Sequence, residues 1–79
     1  MADDKAREIE RMIEVVVRSI PKEREARDLY RATSQGATMD MTRLLFEKLA
    51  MDEEGHEIKL RAVLDILKRE LEKNTGNGK

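Results

Sequence analysis

Glu53-Glu54-Gly55-His56 sets a carboxylate and an imidazole three residues apart, a spacing that puts both on one face of a helix. Phe46, Leu49, Leu60, Val63 and Leu67 recur on that same face at steps of three and four. An acid and an imidazole inside an apolar stripe are each costly to bury alone. A metal ion is the economical way to compensate both. Upstream, Glu23 and Tyr30 fall in phase on a second helical stripe, and the rest of this short chain reads as the means of bringing the two stripes together.

Working outward, the helix that carries Glu53 and His56 is predicted over about Met39 to Lys73. Gly55 sits inside it at a cost of about 1 kcal/mol relative to alanine. Before it, Ser34-Gln35-Gly36-Ala37-Thr38 reads as a turn. Gly36 is expected to end the preceding helix in a left-handed conformation, Thr38 to cap the next, and Asp40 to favour its positive end. The preceding helix begins near Asp3, where Ile9, Ile13, Val16 and Ile20 repeat at steps of four, three and four. Pro21 removes a backbone donor, yet Glu23, Ala26, Arg27 and Tyr30 continue the stripe in register. One long helix kinked near Pro21 is therefore expected, with a break there as the alternative. The domain plan is an N-terminal amphipathic extension over residues 1–20, a helical hairpin over 21–73 and a disordered tail over 74–79.

Composition bounds the function. The 79 residues make one small all-α domain, with 42% charged residues, 3% aromatics and a net charge of -1. The charges are interspersed, so neither nucleic acid nor a membrane surface is expected as a partner. No run approaches the roughly 18 apolar residues of a membrane span. The opening residues are unlike a secretory signal, and the chain has no cysteine for a disulfide, a thiolate zinc site or an iron–sulfur cluster. The expected location is cytoplasmic.

Two helices cover only half of each other's apolar stripe. A four-helix bundle closed by two chains is the simplest solution, and a larger homo-oligomer extends it. One chain offers Glu23, Glu53 and His56 at interior positions, and two chains offer four carboxylates and two imidazoles. That is the ligand set of ferritin-like di-iron bundles. Four glutamates neutralise two divalent ions, and carboxylate plus imidazole suits iron or manganese, with zinc and copper as competitors.

Glu23-Arg24-Glu25-Ala26-Arg27-Asp28-Leu29-Tyr30 resembles the E-x-x-A-R-x-x-Y stretch of the rubrerythrin branch of the ferritin-like superfamily. Leu45-Phe46-Glu47-Lys48-Leu49-Ala50 followed by Glu53-x-x-His56 resembles that branch's second-helix motif. In size and spacing the chain is similar to the encapsulated ferritins, where one such hairpin per chain dimerises to complete a di-iron site. The resemblance covers roughly residues 20 to 70. It implies a di-iron centre with one iron per chain, with Glu23 and His56 as terminal ligands and Glu53 as a bridging carboxylate. Tyr30 would lie beside the site as a hydrogen-bonding or redox residue, and Glu25 would belong to an accessory acidic site. It also implies an encapsulin shell as a partner compartment, although Asn74–Lys79 shows no apolar docking peptide. The second hairpin and the cysteine-bound iron of a full rubrerythrin are absent from this sequence.

Plainer readings stand beside these. A histidine is commonly a hydrogen-bonded structural residue, Tyr30 is an interior packing residue whose hydroxyl needs a partner, and Met39, Met41 and Met51 are core filler. Glu54 and Glu57 read as solvated surface charges. Two classes of function follow. One is a ferroxidase-type oxidation of ferrous iron for storage or detoxification, with a rubrerythrin-like peroxide reductase using an external electron donor as its variant. The other is a helical interaction module without metal chemistry.

Overall fold

The computed structural model describes residues 2–75, which form two α-helices. Helix α1 runs Ala2–Gly36 and helix α2 runs Asp40–Asn74, 35 residues each. They lie side by side as an antiparallel hairpin measuring 58 × 16 × 13 Å. The residues joining them are Ala37, Thr38 and Met39.

α1 passes through Pro21 without a break. A proline inside a helix costs about 3 kcal/mol through the lost N–H and ring crowding. Burial in one register on both sides offsets that cost: Ile9, Val16 and Ile20 lie under α2 before the proline, and Ser34 after it. The Pro21 ring itself faces solvent. The part of α1 before Pro21 supplies four of the five buried apolar side chains among the described residues, Ala6, Ile9, Val16 and Ile20, with Ala50 of α2 as the fifth.

The connection differs from its sequence reading. Gly36 is the last residue of α1 and does not take the left-handed backbone. The Ala37 N–H instead donates to the Ser34 carbonyl at 3.2 Å. Met39, not Thr38, is the N-cap of α2, with extended backbone (φ -91°, ψ 129°) and no side-chain cap bond. Asp40 occupies the first turn as expected and accepts from Arg43 at 2.9 Å. At the far end Asn74 is still helical, and the Thr75 N–H closes on the Leu71 carbonyl at 3.0 Å. Most of the expected tail, residues 76–79, lies outside those described.

The seam between the helices is apolar at the open end of the hairpin, polar at its waist and mixed near the turn. Leu60, Leu64, Leu67 and Leu71 of α2 are half-buried against α1. Phe46 packs near the turn, its ring 6.1 Å from that of Tyr30 and tilted by 42°. Between these regions stand Glu23 and Arg27 of α1 and Glu53 and Glu57 of α2. The predicted apolar face of α2 is split by the fold: Phe46, Leu60 and Leu67 enter the seam, whereas Leu49 and Val63 stay exposed along one edge. No large side chain is fully buried among the described residues. No helix among them is long and apolar enough to cross a membrane.

Candidate metal centre

Helical spacing brings Glu53 and His56 to one side of α2, and the antiparallel register sets Glu23 of α1 opposite them. One ligand atom from each of the three lies within 4.8 Å of the others. His56 Nδ1 is 3.4 Å from Glu23 Oε2 and 3.5 Å from Glu53 Oε2. These separations are at the outer limit of a hydrogen bond, so the imidazole is near both carboxylates without being fastened to either. Among the described residues this is the one group of three such donors.

The donor set fits a divalent cation. Two carboxylate oxygens and an imidazole nitrogen suit iron, manganese or zinc, and a cation between them removes the repulsion of two converging acids. Three donors leave coordination positions open. Burial is graded across the group: the side chain of Glu53 is 18% exposed, Glu23 26% and His56 54%. The open side is a groove of about 300 Å3 lined by Ser19, Glu23, His56, Lys59, Leu60 and Val63. It continues along the same edge into an apolar groove of about 350 Å3 lined by Met12, Val15, Val16, Val63 and Leu67.

On the opposite edge the charges close on one another. Arg24 Nε donates to both oxygens of Glu57 at 3.1 Å, and Arg61 Nε donates to Glu57 at 2.9 Å. Arg27 stands 3.8 Å away on the same carboxylate. Glu57 is only 13% exposed, and the hydrogen bond from Arg24, then that from Arg61, holds its carboxyl down to about 2. The same contact raises the Arg24 guanidinium above its ordinary range. Glu57 is therefore not a solvated surface charge, in contrast to its sequence reading. A signal for it exists in the sequence: Arg61 stands four residues beyond Glu57, and Glu57 continues the interior spacing one step after Glu53. Glu54 is half-exposed and pairs with Arg31 across the helices.

Of the residues singled out in the sequence, Glu23, Glu53 and His56 converge. Tyr30 does not join them. It lies two turns along α1, about 10 Å in axial rise, where its ring packs on Phe46. Glu25 is exposed and outside the group.

An all-α hairpin that gathers two glutamates and the histidine of an E-x-x-H pair defines a class, the helical carboxylate metal proteins of ferritin-like type. A family model for rubrerythrin matches residues 14–78, and the chain belongs to the rubrerythrin family. That family consists of ferritin-like di-iron carboxylate proteins, which usually bind iron and carry out oxidoreductase-type chemistry. No curated protein and no solved structure matches the chain.

Proposed function

We propose that the protein oxidises ferrous iron in the manner of a ferroxidase, at a site that two copies of the chain complete together. The observation that carries this reading is the half-set of ligands: Glu23, Glu53 and His56 converge within 4.8 Å, with the imidazole on the open side. Two such half-sites facing one another supply four carboxylates and two imidazoles, which suffice for two irons. Glu23 and His56 are the terminal ligands, and Glu53, the least exposed, is the bridging carboxylate.

Iron is then the substrate. Two ferrous ions each give up one electron, and dioxygen takes both with two protons to become hydrogen peroxide. The chain's part is to hold two cations close together with open positions, at a separation of roughly 3.5–4 Å. Four glutamates do this while balancing the charge of the two ferrous ions. The match to rubrerythrin favours a second reading at the same residues. There, hydrogen peroxide takes two electrons and two protons to give two waters, and an external donor restores the iron.

The test is an iron titration with stopped-flow oxidation on wild type, Glu23→Ala, Glu53→Ala and His56→Ala. One iron per chain is expected. Because a twofold site repeats every ligand, Glu53→Ala strips both halves and abolishes oxygen-dependent oxidation. Helix content survives, since alanine is the better helix former. Alanine variants that oxidise iron like wild type would falsify the di-iron reading and leave a helical interaction module in its place. Anaerobic ferrous loading followed by either dioxygen or hydrogen peroxide separates the two oxidants.

A further inference from the structure

The exposed edge of α2 around His56 has a pattern that reads the same in both directions. Leu49 and Val63 each stand seven residues from His56, on opposite sides. Leu45 and Ile66 stand eleven and ten residues away, and Asp52 and Lys59 stand four and three. Steps of four and three keep all of them on one face of a helix. That this is the open edge is fixed by the groove that His56 shares with Lys59 and Val63. Leu45, Leu49, Val63 and Ile66 are all exposed there in the single chain.

Resting on the shared-site reading above, we infer that α2 packs antiparallel against α2 of a second copy about a twofold axis crossing between Gly55 and His56, with Asp52 of each chain paired to Lys59 of the other. A twofold axis at that point brings apolar residues onto apolar residues, Leu45 to Ile66 and Leu49 to Val63. It also brings a carboxylate onto an ammonium. Displacing the register by one helical turn would set Asp52 against Val63 in one direction, or Lys59 against Leu49 in the other. A parallel arrangement would set Asp52 on Asp52. Both alternatives bury a charge without a partner or beside its like.

Position along the helix agrees. α2 spans Asp40–Asn74, so its midpoint is Glu57. An axis beside His56 passes within about 2–3 Å of that midpoint at 1.5 Å per residue. Two copies of α2 therefore overlap along nearly their whole length. The contact is isologous, so every pair occurs twice. The same axis brings both His56 residues, and with them both metal half-sites, to the centre. Asp52 is free to take part. Its side chain is half-exposed and its own-chain contact is Lys48 at 3.7 Å, both on the helix surface. Lys59 is exposed.

Charge exchange tests the register. Asp52→Lys, Lys59→Asp and the combined exchange are compared with wild type by sedimentation equilibrium, with and without anaerobic ferrous iron. Each single reversal places like charges together twice per dimer and should weaken dimerisation about tenfold. The combined exchange restores opposite charges and should return the dimer constant to the wild-type value. Both positions are exposed, so helicity by circular dichroism should not change. If all variants dimerise like wild type while binding one iron per chain, the register is overturned and the shared site stands. Failure of the combined exchange to restore dimerisation also overturns it. A monomer holding two irons overturns both the register and the shared site.

Discussion

The two long edges of the hairpin handle polarity in opposite ways. Along one, Arg24, Arg61 and Arg27 surround Glu57 and Arg31 meets Glu54, so each charge finds its partner within the chain. Along the other, Glu23, Glu53 and His56 gather without strong hydrogen bonds among them, flanked by exposed Met12, Val15, Leu49 and Val63. The charges of the first edge are satisfied as they stand. The second leaves an open cluster of donors and exposed apolar surface on the same strip. A single helix pair thus keeps a closed ion cluster and an open carboxylate–imidazole cluster on opposite sides of one polar waist.

The largest expected contrast comes from placing one charge on each edge. Leu49→Lys, beside the candidate metal site, should break the proposed dimer and lower the proposed iron oxidation by more than about tenfold. Met51→Lys should change neither by more than about twofold. Met51 is the more exposed of the two residues and shares a groove with Arg31 and Glu47 on the other edge. Light scattering and the oxidation assay read both effects. Equal losses would erase the distinction between the edges.

A smaller effect is expected from Glu57→Gln, which leaves three guanidiniums around a neutral amide. Thermal melts of the metal-free protein should show a lower midpoint at neutral pH. The folded carboxyl is held below its ordinary value of 4.5, to about 2. Its contribution to stability is therefore fully present above about pH 4.5 and is lost as pH falls through about 2. The gap between wild type and variant should be constant above the upper value and close across that window. A gap that persists at pH 2 would mean that the ion cluster is not its origin.

The smallest effect should follow Tyr30→Phe, which keeps the ring against Phe46. Stability should move by no more than about 1 kcal/mol, and iron stoichiometry should not change. A change confined to the oxidation rate would connect the hydroxyl to the chemistry across two turns of α1. A change in stoichiometry would place Tyr30 among the ligands.

How much of this was legible in the sequence follows from what periodicity can and cannot encode. The step of three and four residues specifies two amphipathic helices, and the common phase of Glu23, Glu53 and His56 specifies that they meet. Periodicity does not say which edge of a wide apolar arc faces the neighbouring helix. Leu49, His56 and Val63 have the same spacing as Ala50, Glu57 and Leu64, and the fold places the second set in the seam. Leu49 and Val63 share the His56 edge, as their spacing implies, and stay exposed there in the single chain. Glu57 was misread because a charge looks solvated until three arginines arrive, two of them from the other helix. At Pro21 the local rule against interior prolines lost to seam burial on both sides. Capping by Thr38 failed because the chain enters α2 one residue later, at Met39.

The lack of any fully buried large side chain also has a calorimetric consequence. Unfolding a hairpin that already shows Val15, Leu29, Met51 and Ile58 to water uncovers little additional apolar surface. Its heat-capacity increment must then fall below the usual value of about 12–15 cal/mol/K per residue. A small increment flattens the curvature of the stability curve, and the small unfolding enthalpy that goes with sparse packing makes the melting transition of the lone chain broad and shallow. Covering the exposed edge would move that increment toward the usual range and sharpen the transition, so the breadth of the heat-absorption peak reports how much of the apolar edge is covered.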